Sequence, residues 1–341
     1  MDKVRKRSGM PGVRVLNEDG SADAGKHADS QHRAAIPFLG FLFAAGTQQR
    51  QMPTMEQRRA NANHATELSK ELRVKVLNVY GKFLSDDGSS VDYVALRSSK
   101  QFEEYLHAAR RLRDVDLGAL ERSEFIALVL NLYNAMVIHG LAVAHKQPSN
   151  IVQRLRFYNK VVYRIGPHAY SVNDLENGLL RGNRKGAAPL SRPPFGKGDP
   201  RASYALSDPD ERIHFALNCG AKSCPSIRYY SPESLDAELR TAAQQFILDD
   251  SNVKIRPSDD SAKCATSKAE HPPRVELSSI FDWYRPDFTG SDTSDKALLL
   301  RIAKYLDESE PLRSRLEAAA LAGASVVFAT YDWDVNDVSE N

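Results

Sequence analysis

Residues 125–144, FIALVLNLYNAMVIHGLAVA, form a run of twenty without Lys, Arg, Asp or Glu, the length of a membrane span. Any fold for this chain has to cover that run. Two asparagines, a tyrosine and a histidine interrupt it, and Glu124 and Lys146 flank it closely. Lipid offers such groups no partner, whereas a helix apolar nearly all round suits the centre of a large soluble domain. The sequence therefore predicts a buried core helix with Ser123 as its N-cap. With 341 residues, 42% hydrophobic and 26% charged, the chain can bury such a core without disulfide or metal staples.

Around this helix the pattern divides the chain. Residues 1–65 lack a sustained period and read as a disordered arm; a protein partner is expected to dock there. Within the arm, IPFLGFLFAAG (36–46) has signal-peptide length, but residues 1–35 precede it with both charge signs. It is expected to be a docking segment, a leader behind an overextended start or an anchor being the alternatives. From Glu67, ELSKELRVKVLNVYGKFL spaces Leu68, Leu72, Val76, Val79 and Tyr80 at helical intervals. SSKQFEEYLHAARRLRDVD predicts a second amphipathic helix.

After the core helix the period changes to two. VVYRIGPHAYSV predicts a hairpin turning at Gly166 and Pro167. NDLENGLLRGN predicts a short helix with Asn173 and Glu176 at capping-box spacing. Residues 184–212 form a long Pro- and Gly-punctuated loop. RIHFALNC predicts a strand stopping at Gly220, SPESLDAELRTAAQQFIL a helix capped by Ser231 with Pro232 at its first position, and NVKIRP an edge strand. Two more helices and a last strand, SVVFATYDWDVN, close the chain. The expectation is a mainly helical α+β fold. It consists of a single domain at 66–341 with a small, mostly antiparallel sheet, behind the arm.

A formal net charge of +2 spread over 46 basic and 44 acidic residues excludes a polyanion footprint, so no nucleic-acid partner is expected. Three cysteines, Cys219, Cys224 and Cys264, are too few for a disulfide framework and lack the four clustered ligands of structural zinc. No metal and no cofactor is predicted. A soluble intracellular location is favoured over a secreted or anchored one.

Candidate chemistry concentrates in HFALNCGAKSCP, residues 214–225. Cys219 at a strand end, followed by a turn, stands where backbone N–H groups of residues 220–223 would face an anion and Lys222 would favour a thiolate. Strand alternation points His214 away from Cys219, so the base is either His214, if the strand breaks, or His168 on the hairpin. Asn131 and Asn134, three apart on the core helix, share a face with Glu124. Either they form a seam bonded to loop backbone or they floor a pocket. His139, about 80° around the helix from Asn131, reads as a core histidine. Glu176 with Arg181, and Asp199 with Arg201, either pair to hold the long loop or bind a ligand.

The motifs NLYNAMVIHG, YRIGPHAYSVNDLENGLLRG, DPDERIHFALNCGAKSCPSIRYYSPESLDAEL, LSSIFDWYRPDF and YDWDVN, in this order, closely resemble the domain-of-unknown-function family 547 over about 117–336. The resemblance assigns the family motif to Asn131, Tyr133, Asn134, Glu176, Arg181, His214, Cys219, Gly220, Ser223, Pro225 and Tyr229. Family members commonly carry a Trp shortly before the first motif asparagine, where this chain has Leu128, Val129 and Leu130. They tolerate Ser at the position of Cys224, which implies that a Cys219–Cys224 disulfide is not obligatory. The resemblance carries no activity.

These residues lead to a thiol-dependent hydrolase or acyltransferase acting on an amide or peptide-like substrate. Cys219 would be its nucleophile, His168 or His214 its base, and Asn218 or Asn131 the orienting amide. Asn131, Tyr133, Asn134, Glu176, Arg181, Lys222, Ser223 and Tyr229 would bind the substrate. One alternative is a non-catalytic module binding a small molecule or peptide; a second is a Cys219–Cys224 redox switch.

Overall fold

The computed structural model of the chain describes residues 14–17, 54–144, 148, 150–188, 190–256 and 272–338. The segment 36–46 and Cys264 lie outside the described residues. A two-residue strand β1 (Arg14–Val15) is followed by helices α1 (Met55–Phe83), α2 (Lys100–Ala109) and α3 (Arg122–Val143). In α1 the predicted residues Leu68, Leu72, Val76, Val79 and Tyr80 are all buried. The helix begins well before Glu67, because its first turns carry no apolar stripe from which to read a period. Ser99 caps α2, its hydroxyl accepting from the Phe102 N–H at 3.1 Å.

The run at 125–144 is the body of α3. It is the one helix among the described residues long and apolar enough to cross a membrane, and 94% of its apolar window is buried inside the fold. Its cap is Glu121 rather than Ser123. The Glu124 carboxylate accepts the Glu121 N–H at 3.1 Å and the Glu121 side chain accepts the Glu124 N–H, a reciprocal capping box that Ser123, two residues further into the helix, does not make. His139 is a bonded core histidine, 2.9 Å from the Tyr163 hydroxyl.

Helix α4 (Ile151–Lys160) leads into the hairpin β2 (Val161–Ile165) and β3 (His168–Ser171), where Gly166 supplies the positive φ of the turn. Strand β1 adds in parallel to β2. Asn17, directly after it, is buried and bonds the Ala109 and Arg164 carbonyls, each at 2.9 Å. A short piece of the N-terminal region is thereby tied to the core.

Residues Asp174–Leu180 form a π-helix, a wide turn often found at functional positions. Its start is held by Ser171 and Asp174, which bond each other's backbone N–H at 2.9 and 3.1 Å, and not by the predicted Asn173 and Glu176. This releases the Glu176 side chain inward. The long loop that follows is anchored by Arg201, which is buried on Asp199, Asp174 and the Ala169 carbonyl.

The strand expected at RIHFALNC is absent: Glu211–Phe215 is a 3-10 turn capped by Asp210. The alternation of Ile213, Phe215 and Leu217 has a different cause. The described core consists of two apolar clusters, and this segment feeds both in turn. Ile213, Ala216 and Leu217 enter the first, with α1, α2 and α3. Phe215 and Ala221 enter the second.

That second cluster is built by α5 (Leu235–Leu248), β4 (Val253–Arg256), β5 (Arg274–Leu277), α6 (Asp295–Ala303), α7 (Pro311–Leu321) and β6 (Ser325–Phe328). Its sheet runs β4-β5-β6 with β4 at the edge, as NVKIRP predicts. Antiparallel pairing joins β2 to β3 and β4 to β5, and β6 adds in parallel to β5. Helix α5 starts after Ser234 instead of Ser231, whose N–H and hydroxyl are held by Glu238 at 2.6 and 2.8 Å. The mainly helical α+β class is as the sequence predicts.

Candidate functional site

The seam between the two clusters is the turn at 216–230, which α3 holds with two amides. Asn134 donates to the Ala216 carbonyl at 3.0 Å and accepts the Asn218 N–H at 2.9 Å. Asn131 does the same for Tyr230, at 2.7 and 3.0 Å. Both side chains are buried and spend one donor and one acceptor on backbone that would otherwise be unpaired. Asn134→Ala is expected to cost about 2 kcal/mol or more, since it orphans two buried backbone groups. Equilibrium urea unfolding measures it, and a loss under 0.5 kcal/mol, roughly the low end for a single exchanged bond, contradicts the clamp.

Asn218 shapes the turn itself. Its Oδ1 accepts the Gly220 N–H and its Nδ2 donates to the Pro225 carbonyl, both at 2.8 Å. The N–H groups expected to face an anion are already committed. Lys222 donates to the Asp334 carbonyl at 2.9 Å and Ser223 to the Asp332 carbonyl at 3.3 Å, while the Ser223 hydroxyl accepts from Asp332. The C-terminal residues 332–336, an irregular segment after β6, thus close over the turn and engage the N–H groups that an oxyanion would need.

What the turn does bring together is Cys219 and Cys224. Their sulfurs lie 2.9 Å apart, and both residues are half-buried. The Cys224 sulfur also accepts from the Cys219 and Ala221 N–H groups, at 3.1 and 3.4 Å, and from the Tyr331 hydroxyl at 3.2 Å. Tyr158 donates to the Cys219 carbonyl at 3.0 Å. The Cys224 thiol, with lesser help from Tyr158, then Arg154 and Tyr331, and against the effect of burial, brings the Cys219 thiol down to about 7. Burial pushes Cys224 up, so Cys219 is the sulfur of the pair that ionises first. Burial likewise keeps the Tyr158 and Tyr331 hydroxyls protonated at neutral pH.

The histidine bases are placed elsewhere. His214 lies flat on Tyr284, with ring centroids 3.8 Å apart, and its Nε2 meets Asp287 Oδ2 at 2.9 Å. Burial lowers its pKa, so the neutral ring donates to the carboxylate. The 3-10 turn, not a strand, aims it there. His168 sits edge-on to Tyr170 on β3, centroids 6.4 Å apart. No histidine is among the groups that act most on the Cys219 thiol.

Beside this lies a buried polar network. Glu176 accepts from the Tyr133 hydroxyl at 3.0 Å and the Tyr284 hydroxyl at 2.6 Å. Arg181 bonds Asp287 at 2.6 Å and Asn177 at 2.5 Å instead of pairing with Glu176. Arg184 takes the other Asp287 oxygen at 2.8 Å. Cys219 contributes to holding both the Tyr133 and Tyr284 hydroxyls protonated, after burial and Glu176, which puts the network in electrostatic reach of the thiol pair. Tyr229 stands apart under the Arg73 guanidinium, 5.8 Å from its ring centroid.

These motif residues occupy one contiguous stretch of chain. Residues 117–247 match the family model described as protein of unknown function, DUF547. The DUF547 match contains Asn131, Asn134, Glu176, Arg181, His214, Cys219 and Cys224, and ends before Tyr284, Asp287 and Tyr331, which complete the same constellation from the C-terminal side. Comparison with curated proteins and with solved structures finds no match. Among the described residues no group of three or more His, Cys, Asp or Glu side chains is arranged to hold a metal ion.

Sequence reasoning missed Asp287, Tyr331 and Arg154. An acid embedded in the aromatic string FDWYRPDF, and Arg154 and Tyr158 one helical turn apart in QRLRFYNK, were the signals available.

Proposed function

We propose that the Cys219 turn is a thiol-dependent redox site, a dithiol that converts to a Cys219–Cys224 disulfide. The 2.9 Å sulfur contact carries this reading, because it leaves the two atoms within about 1 Å of bonding distance. A thiolate is the attacking species in disulfide exchange, and the pair generates one without a histidine. Acyl transfer by Cys219 needs a base and free oxyanion donors, and the groups expected for both are engaged in the fold. It remains the second reading, favoured by the Tyr133 hydroxyl, which is bonded to Glu176 and close enough to sense Cys219.

The test is the mass of native protein equilibrated with oxidised glutathione. Loss of two hydrogens, mapped to the peptide linking Cys219 and Cys224, is the expected result. Unchanged mass, with Cys219 trapped instead as a stable acyl adduct by an activated ester, transfers support to the second reading. A companion prediction concerns Cys224→Ala. Returning Cys219 from about 7 to an ordinary thiol value of about 8.5 cuts its thiolate fraction at pH 7 roughly fifteenfold, and after the higher nucleophilicity of the less acidic thiolate its alkylation slows about threefold to fourfold. An unchanged rate contradicts Cys224 as the activating group.

A further inference from the structure

Arg154 lies on α4 one turn before Tyr158, so the two side chains leave the helix on one side. The Tyr158 hydroxyl reaches the Cys219 carbonyl, 3.0 Å away. The Arg154 guanidinium rests over the Trp333 ring at 5.4 Å. Trp333 packs on Tyr331, centroids 4.6 Å apart, and the Tyr331 hydroxyl is 3.2 Å from the Cys224 sulfur. Arg154 therefore shares a helix face with the tyrosine that bonds Cys219 and rests on the aromatic pair that reaches Cys224.

Arg154 is also 1% exposed, and its Nε and Nη2 have no hydrogen-bond partner. A buried guanidinium in this state is costly unless an opposite charge lies near. The acids it acts on are Cys219, Tyr158 and Tyr93. Burial keeps both tyrosines neutral. Of these three acids the sulfur pair is the one that carries negative charge at neutral pH, and it does so only while reduced; the Asp337 carboxylate, which acts with Arg154 on Tyr93, keeps its charge in either redox state. Closing the disulfide removes the sulfur charge from the surroundings of the buried cation.

We propose that Arg154 is the counter-charge of the reduced pair and poises Cys219 and Cys224 as an oxidising couple whose electron donors are external thiols. A couple becomes more oxidising when its reduced form is selectively stabilised. In the reaction, a substrate thiolate attacks Cys219 Sγ, the Cys219–Cys224 bond breaks, and Cys224 leaves with the electron pair and takes the first thiol's proton. A second thiolate then attacks the substrate sulfur of the mixed disulfide and releases Cys219 as a thiolate beside Arg154, its own proton passing to water. Two thiols are oxidised to one disulfide and the protein pair is reduced. Arg154 is a positioning residue here, acting through the charge on sulfur.

This inference rests on the dithiol reading, and one experiment separates their failures. The full chain is equilibrated at pH 7 in graded reduced and oxidised glutathione, quenched in acid, alkylated and weighed, for wild type, Arg154→Met and Arg154→Lys. Arg154→Met is expected to shift the equilibrium constant at least tenfold toward the disulfide, about 30 mV, and Arg154→Lys, which keeps the charge, to stay close to wild type. Arg154→Gln carries the same expectation should the methionine variant fail to fold. Equal constants in the wild type and the uncharged variants overturn the role of Arg154 and leave the dithiol standing. No disulfide in wild type at any ratio overturns both.

Discussion

Asp287→Ala is expected to destabilise the fold by about 3–5 kcal/mol at pH 7, the range for removing one partner from a buried charged network. One carboxylate serves Arg181, Arg184 and His214, and both it and Arg181 are almost wholly buried. Without it the Arg181 charge keeps only neutral acceptors, Asn177 and the Lys185 carbonyl. The pH dependence has a definite sign. Burial by itself would raise the Asp287 carboxyl, yet the His214 and Arg181 hydrogen bonds outweigh it and hold the group well below the usual carboxylate range. Its contribution is therefore complete above the unfolded value of about 3.9 and is lost as pH falls toward the folded value.

His214 acts in the same direction at higher pH. Burial lowers its pKa, so below about 6.5 the unfolded chain binds a proton that the folded one refuses, and stability falls as pH drops from there toward the folded value. Urea midpoints at pH 7, 5 and 3, for wild type and Asp287→Ala, measure both effects, the step from 7 to 5 reporting His214 and the step from 5 to 3 Asp287. A variant within 1 kcal/mol of wild type at pH 7, roughly the worth of an exposed ion pair, would show that the network contributes little.

Gly220→Ala is expected to cost a comparable amount through a separate mechanism. Gly220 has φ +83°, and a Cβ there would stand 2.5 Å from Leu141 Cδ1 and 3.2 Å from Val137 Cγ1. The left-handed backbone costs an alanine about 1–2 kcal/mol, and forcing a methyl into a packed core adds about 1–3 kcal/mol. The close approach of the turn to α3 is also what sets the Cys219 carbonyl and sulfur. Slower disulfide formation should accompany the loss of stability. Adding Leu141→Ala relieves the contact but not the backbone strain, so the double variant should recover part of the stability. Full recovery would mean that φ is not the constraint.

How far the sequence could be read depended on whether a residue's partner was local. The core helix, the stripe on α1, the hairpin and the edge strand follow from period and turn chemistry, which act over a few residues. RIHFALNC misled because its alternation records which of two clusters each side chain enters, and that is a property of the packed molecule. The same holds for the candidate site. Cys219 and Cys224, five apart around a glycine turn, stood out as a pair, and Asn131 and Asn134 stood out on the buried helix. That the amides clamp backbone, that His214 turns to Asp287, and that Arg154 stays unpaired all depend on residues far apart in the chain.

By itself, then, the sequence determined the helix-rich α+β class, the buried helix and the thiol-bearing turn, since apolar periodicity and glycine conformational freedom are local and additive. Only the tertiary structure decided which groups face the thiols. Segments 150–160, 284–287 and 331–336 converge on the turn, and they commit its N–H groups, assign His214 to a carboxylate and bury a guanidinium within electrostatic reach of Cys219.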